Sequence, residues 1–197
     1  MGKAMGALGI ALGSLMLGLA AQPAMAGDHF DEKYEVTGKT LLDRIQIEDL
    51  LRGYYHDFHT LGAAVATRYF APDAVFDANG QVFRGREEIA KVYQSIADRP
   101  PEKNGLFQMM MGPPLIRIEG DRATAVIVWT GIMNDTLTAP PRFIEQGREY
   151  DILAKYDGHW RIRKRTIITD SGLPAQWLPT YVRRAEGFDP FADEPKP

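Results

Sequence analysis

The sequence predicts an α+β fold: a cone-shaped α+β barrel in which three N-terminal helices pack on a strongly curved, mixed but mainly antiparallel sheet. Two patterns predict it. Apolar residues recur every three or four positions between residues 41 and 97, and every second position after Pro100-Pro101. Helices that precede a series of hairpin-connected strands are typical of the α+β class. Helices on the concave side of such a sheet leave a cone with one open end, which is a natural ligand pocket.

The first 26 residues have the layout of a secretory signal peptide. Lys3 supplies a positive start, residues 4–19 carry no charge, and Ala24-Met25-Ala26 presents small residues to a signal peptidase. The apolar run is shorter than a confident membrane span, although a retained anchor is the alternative interpretation. We therefore expect the mature chain to begin near Gly27, to be periplasmic or secreted, and to have no membrane contact after cleavage.

Composition limits the function classes of the remaining chain. About 170 residues are enough for one domain with a real core. The chain has no cysteine, so disulfides, thiol nucleophiles and thiolate metal sites are excluded. The net charge of −3 offers no basic field for nucleic acid. We assign residues 27–40 to an exposed lead-in, 41–170 to the domain and 171–197 to a tail.

The helices are predicted from apolar spacing and from their flanking residues. The first begins at Leu41 and runs to Phe58. A second, short helix covers residues 63–70 and ends before Pro72. The third follows Gly85, and its first turn is acidic, as the positive end of a helix dipole favours.

The strands are predicted from alternation and from turn residues. Asn79-Gly80, Gly120-Asp121 and Asp157-Gly158 are tight-turn signals. The predicted strands are residues 74–78, 106–118 with a bend at 112–114, 123–133, 145–156 and 160–169. The tail carries three aromatic residues, which we expect to cover part of the domain or a partner chain: Trp177, Tyr181 and Phe188.

The element order and five short motifs resemble the SnoaL-like proteins of the nuclear-transport-factor-2-like superfamily. These motifs lie at residues 47–54, 69–76, 85–89, 120–123 and 157–162, and the resemblance covers roughly residues 40–170. That superfamily includes ketosteroid isomerase, scytalone dehydratase, limonene epoxide hydrolase, polyketide cyclases, a diarylpropane formaldehyde-lyase and pure binding proteins. The resemblance implies cofactor-free acid/base chemistry on apolar ring compounds, and a homodimer formed through the convex face of the sheet.

The end of the first helix holds the densest group of titratable and aromatic residues. Histidine titrates nearest neutrality, so His59 is the candidate general base. SnoaL-like chains often carry an aspartate near this position, and this chain departs from that pattern. A packed or solvated helix-end histidine is the alternative interpretation, and a metal site with His56 would need further ligands. Tyr54 and Tyr55 are candidate hydrogen-bond donors to a developing oxyanion, or core residues.

Strand parity and the resemblance supply the other candidate site residues. The SnoaL-like pattern often places an aspartate at Asp151 and a basic residue at Arg165, and their strands form a hairpin, so the two side chains can meet as a polar anchor or as a structural ion pair. The aligned pattern turns three apolar side chains toward the pocket as substrate contacts: Phe76, Ile127 and Trp129. Met110 is a further candidate contact, because methionine adapts to flat rings, although it can equally be a core filler.

These observations lead to three hypotheses of function. The first is an exported, cofactor-independent lyase or isomerase that acts by elimination, dehydration or retro-aldol cleavage on a small apolar aromatic or cyclic substrate. The second is a non-catalytic periplasmic protein that binds a hydrophobic ligand. The third is a structural dimer module. No metal, cofactor or nucleic-acid motif is found in the sequence.

Overall fold

The computed structural model describes residues 36–57, 60–98, 107–136, 138–172, 181, 184 and 186–191. The chain divides into two units, residues 1–31 and 32–197, and every described residue belongs to the second. The predicted signal peptide and most of the lead-in lie outside the described residues, as do Phe58 and His59.

The predicted α+β class is confirmed, because helices precede a curled mixed sheet. The elements are α1 (Leu41–Asp57), α2 (Ala64–Tyr69), β1 (Phe70–Ala78), β2 (Gln81–Arg84), α3 (Gly85–Ala97), β3 (Gln108–Met111), β4 (Leu115–Glu119), β5 (Arg122–Met133), β6 (Arg142–Tyr156) and β7 (His159–Ser171). No helix within these described stretches is long and apolar enough to cross a membrane.

The sheet has the order β2-β1-β7-β6-β5-β3, with β4 also paired to β5. Only the β1–β7 pair is parallel among the described strands. The bent strand predicted at residues 106–118 is two strands, β3 and β4, which both pair with β5. Gly112 lies in the break between them and donates its N–H to the Val128 carbonyl at 2.8 Å, so the chain stays beside β5 through the bend.

The β1–β2 hairpin is larger than the sequence indicated. Asn79 and Gly80 have φ values of 55° and 94°, as a two-residue hairpin turn with a right-handed strand twist requires. β2, which alternation over four residues did not predict, pairs with β1 after this turn. β1 begins at Phe70 rather than at Ala74, because Phe70 pairs with Ile162 of β7 far along the chain.

The core lies between the helices and the inner face of the sheet. Alternate residues of β1, β5, β6 and β7 point toward α1, α2 and α3. Aromatic rings that meet mainly edge to face fill one part of this core: Tyr54, Tyr69, Phe70, Phe76 and Tyr93. Among the described residues, the interior of the cone is therefore lined by side chains of the inner sheet face and of the helices packed on it.

The described residues of the C-terminal tail include Arg184, Pro190 and Phe191, which contact the outer face of β1, β7 and β6 respectively. Arg184 forms an ion pair with Asp77 of β1 and lies over the Phe188 ring at 4.6 Å. The ammonium of Lys164 donates to the Pro190 carbonyl at 2.8 Å. The expectation that the tail covers part of the domain is met by Arg184, Pro190 and Phe191, whereas Trp177 lies outside the described residues.

Candidate functional site

Five polar side chains meet on the inner face of the sheet beneath α1. Glu149 and Asp151 are two positions apart on β6, so both side chains point to the same face. Arg165 is the β7 residue opposite Asp151. Glu149, Asp151 and Arg165 are 0–1% exposed, and Tyr54 and Tyr55 of α1 complete the group. We call these five residues the inner polar cluster.

Asp151 and Arg165 form a two-point ion pair at the centre of the inner polar cluster. The Nε and Nη2 atoms of Arg165 each donate to one carboxylate oxygen of Asp151 at 2.8 Å. The contact predicted between these two side chains is confirmed. Burial alone would lower the pKa of Arg165, but the charges of Asp151 and Glu149 outweigh it and hold that pKa above its ordinary value.

Glu149 carries the carboxyl of the inner polar cluster that has fewer hydrogen bonds than that of Asp151. Its Oε1 lies 2.9 Å from Arg165 Nη2 but at an angle that makes no hydrogen bond. Its Oε2 accepts a hydrogen bond from the Tyr55 hydroxyl at 3.0 Å. Burial raises the pKa of Glu149 well above its ordinary value, and Asp151 raises it further, against the lowering effect of Arg165. One guanidinium faces two carboxyls, so the site favours the protonated form of Glu149 more than water does.

The two tyrosines occupy different positions in the inner polar cluster. The Tyr54 ring lies 3.8 Å from the guanidinium carbon of Arg165, and its hydroxyl lies 2.7 Å from that of Tyr93. The Tyr55 hydroxyl instead reaches Glu149. Burial raises the pKa of both phenols, so both are neutral hydrogen-bonding groups. The Tyr55 hydroxyl is thus bound to a carboxyl that can exchange a proton.

The apolar residues predicted as substrate contacts lie on the inner face, as parity predicted. Phe76 packs against Phe70 and Tyr93, and Ile127 is fully buried. Trp129 is 4% exposed, and its indole nitrogen has no hydrogen-bond partner in the described part of the chain. Phe76 and Ile127 flank the inner polar cluster, whereas Trp129 lies further along β5.

The predicted contact at Met110 is not formed at this site. Met110 pairs with Thr130 of β5 and is 58% exposed on the outer face. Strand alternation explains the difference, because Met109 and Met111 are the β3 residues with the opposite orientation. Only the neighbours of Met110 can therefore reach the interior.

The proposed base and the histidine-pair metal site cannot be placed. His59 lies outside the described residues. The His56 side chain is 88% exposed and lies 4.0 Å from Asp57. Within the described ranges, no three histidine, cysteine, aspartate or glutamate side chains are grouped as metal ligands.

Comparison with known protein families identifies the family of this domain. The family model of the SnoaL-like domain matches residues 39–166, about two thirds of the sequence. The chain belongs to the SnoaL-like domain family. The match contains every residue of the inner polar cluster. The sequence matches none of the curated proteins with which it was compared.

Solved structures agree with this SnoaL-like fold. A Mycobacterium tuberculosis protein of unknown function is 23% identical over 67% of this chain and 74% of that chain, with a TM-score of 0.57. An NTF2-like protein from Novosphingobium aromaticivorans is 19% identical over 72% and 90%, with a TM-score of 0.57. A protein from the same organism, provisionally assigned as a scytalone dehydratase, is 20% identical over 69% and 89%, with a TM-score of 0.56. At these identities the likeness concerns the fold alone.

Glu149 is the member of the inner polar cluster that sequence reasoning did not select. The signal was present, because Glu149 and Asp151 share strand parity and Asp151 was expected to point inward. A charged residue two positions from an inward aspartate must also point inward, and it is then buried unless the strand bulges.

Proposed function

We propose that this SnoaL-like domain is a cofactor-independent acid/base enzyme, of the lyase or isomerase type, that acts on small apolar ring compounds. The observation that carries the proposal is the buried group of two carboxyls on one guanidinium, with a tyrosine hydroxyl on the second carboxyl. Carboxyls in unlike environments divide into an ionised and a protonated member, which is the arrangement that acid/base catalysis uses.

The residues take separate roles in the proposed reaction. Asp151 and Arg165 fix the geometry of the cluster, Glu149 holds the transferable proton, and Tyr55 orients Glu149 through its hydroxyl. His59, two positions beyond the last residue of α1 in the sequence, is the proposed base. The single O–H of Tyr55 is donated to Glu149, so a substrate oxygen that gains negative charge competes with that carboxyl for it.

An elimination balances with these groups. The imidazole of His59 takes a proton from the carbon next to a substrate carbonyl, and the C–H electrons form the new double bond. The hydroxyl on the neighbouring carbon leaves with the proton of Glu149 as water. The proton on His59 then passes through solvent to return Glu149 to its starting form. Each proton removed is thus replaced, and no redox partner is needed.

Proton exchange tests the proposal without knowledge of the natural substrate. The full chain is incubated in deuterated water with a panel of cyclic ketones and aryl β-hydroxy ketones, and deuterium uptake and product formation are followed by NMR. We expect exchange with at least one compound, and its loss in Glu149→Gln and His59→Ala. The exposed Glu87→Gln, on α3, is the matched control. Equal rates in all variants, or no exchange with any compound, would contradict the proposal.

Binding without chemistry is the second candidate function. The observation that favours it is the unpartnered indole nitrogen of Trp129, which can hold a ligand but takes no part in proton transfer. A ligand that binds tightly and leaves unchanged, in a protein that exchanges no protons, would support this function over the enzyme.

Export and dimer formation accompany the proposed function. We propose that the first 26 residues are removed on secretion and that the mature chain pairs through the outer face of the sheet. Exposed apolar side chains on that face support the pairing, with Met110 58% and Val128 61% exposed. Sedimentation velocity and N-terminal sequencing of the secreted protein test the two proposals separately.

A further inference from the structure

Two large side chains on the inner face lie over glycines of the neighbouring strand. Trp129 of β5 pairs with Gly147 of β6, and Glu145 of β6 pairs with Gly131 of β5. A β-carbon at Gly147 would come within 2.5 Å of Trp129 Cζ2, so the indole covers that glycine. A β-carbon at Gly131 would come within 2.6 Å of Glu145 Cγ. We call this reciprocal arrangement the glycine shelf.

The polar side-chain atoms of the glycine shelf have no hydrogen-bond partner among the described residues. The Trp129 indole nitrogen is buried and has no hydrogen bond. Glu145 makes no hydrogen bond or ion pair with a described residue, and burial raises the pKa of its carboxyl. By contrast, the indole nitrogen of Trp160 donates to Asp43 at 3.0 Å. A buried donor without an acceptor is costly to the fold and marks a place where a ligand can supply one.

The chemistry of the two groups limits the ligand. An indole N–H can only donate, and a carboxylate can only accept. A hydroxyl does both, because its oxygen accepts one hydrogen bond while its hydrogen is donated. The flat indole face favours an aromatic ring beside it, and the Phe107 ring edge, 3.0 Å from a β-carbon at Gly131, adds a second apolar surface.

We propose that the glycine shelf binds the hydroxyl group of a phenol, with Trp129 donating to the phenolic oxygen and Glu145 accepting its hydrogen. The shelf lies on the same inner face as the inner polar cluster, at the next rows of β5 and β6. A phenolic ring anchored there extends toward Glu149. The inference deepens the proposed function by naming its substrate class, and its role in turnover rests on that function.

Equilibrium dialysis of the full chain with three matched probes tests the shelf. The probes are 2-naphthol, which donates and accepts, 2-methoxynaphthalene, which only accepts, and 2-methylnaphthalene, which does neither. We expect wild-type affinity to fall in that order, by about three- to tenfold at each step, as a net hydrogen bond provides. Equal affinity for the three probes would overturn the proposal.

Two variants show which residue causes each of the two differences in affinity between the probes. Trp129→Phe should abolish the preference for the methoxy probe over the methyl probe, and Glu145→Met should abolish the preference for naphthol over the methoxy probe. Trp160→Phe is the matched control, because its N–H is already bound by Asp43, and it should keep both preferences. Preferences retained in Trp129→Phe and Glu145→Met, with circular dichroism unchanged, would also overturn it.

The outcome is independent of the proposed function. Probe binding requires no proton transfer, so selective binding without deuterium exchange would reject the enzyme and keep the shelf. Deuterium exchange without selective binding of the probes would keep the proposed enzyme and reject the shelf.

Discussion

The guanidinium carbon of Arg165 lies 3.8 Å from the centre of the Tyr54 ring, which joins β7 to α1 inside the core. A cation over an aromatic face is attracted by the ring quadrupole, most strongly where water is absent. The Tyr54 hydroxyl is at the same time held by Tyr93 at 2.7 Å. Tyr54 therefore positions the arginine of the inner polar cluster, and Tyr55 is the tyrosine directed at Glu149.

Substitutions of Tyr54 and Tyr55 should separate these roles. Tyr54→Phe keeps the ring over Arg165 and loses the hydrogen bond to Tyr93, so we expect a loss of about 1 kcal/mol in the free energy of unfolding. Tyr54→Leu also loses the cation–π contact and should cost at least about 2 kcal/mol more. Tyr55→Phe should lower activity more than Tyr54→Phe does. Urea unfolding and the exchange assay measure the two effects, and the opposite ranking of activities would contradict the assignment.

Removing one partner of the buried ion pair should be severe. Asp151→Asn leaves the Arg165 guanidinium buried without its two-point acceptor, and we expect a loss of about 3–5 kcal/mol in the free energy of unfolding. The double variant Asp151→Leu/Arg165→Met should recover much of this, because no charge is left unpaired. Asp170→Asn breaks the more exposed pair with Arg148 and should cost less than about 1 kcal/mol. A loss of stability in Asp151→Asn as small as that in Asp170→Asn would mean that the Asp151–Arg165 pair is not desolvated.

Glu149 should make stability depend on pH in a defined direction. Its pKa is raised in the folded state, so the folded protein binds more protons than the unfolded chain above the ordinary glutamate pKa. Wild-type stability therefore falls as pH rises through the window between the unfolded and folded pKa values. Glu149→Gln removes this effect, so its stability relative to wild type should rise by up to about 1.4 kcal/mol per pH unit in that window. Parallel pH profiles, with Glu87→Gln as control, would show that Glu149 is ionised.

Parity and hairpin topology explain how much of the site could be predicted. Asp151 and Arg165 were expected to meet because the SnoaL-like pattern places an aspartate and a basic residue there, on strands that form a hairpin. The register set by the Asp157-Gly158 turn alone would put Lys164 opposite Asp151, and an irregularity between Ile152 and Leu153 brings Arg165 there instead. The inward orientation of Ile127 and Trp129 was expected from the family pattern aligned to this strand, together with strand alternation. The structure contains both the contact and the inward orientations, whereas the register shift that aligns Asp151 with Arg165 had no signal in the sequence.

Long-range partners explain what could not be predicted. The early start of β1 depends on parallel pairing of Phe70 with Ile162, and no local pattern signals it. The glycine shelf depends on the residue that faces Gly147 across the sheet, which is Trp129 of β5. The sequence alone does not show this pairing, so the role of Gly147 could not be predicted. The tail contact of Arg184 with Asp77 joins residues 107 positions apart.

The proposed base can be tested although it lies outside the described residues. His59→Ala should leave the free energy of unfolding close to wild type and lower the exchange rate by about 10²–10⁴-fold. His59→Asp should keep part of the activity, with a pH profile shifted to acid because aspartate titrates lower than histidine. His56→Ala is the matched control, since that side chain is 88% exposed. Equal rates for wild type and His59→Ala would exclude the role.

Gly147 should be intolerant of a side chain, and the reason should be traceable to Trp129. In Gly147→Ala the new methyl group meets the Ile168 carbonyl and Trp129 Cζ2, so we expect a loss of about 1–3 kcal/mol in the free energy of unfolding from overpacking. Gly131→Ala should cost less, because Glu145 and Phe107 meet its methyl group with side-chain atoms that can rotate away.

Combining Gly147→Ala with Trp129→Leu should relieve the indole part of the clash, so the double variant should be more stable than the sum of the two single losses predicts. Urea unfolding of the four proteins measures this coupling, and strict additivity would mean that the indole does not rest on Gly147.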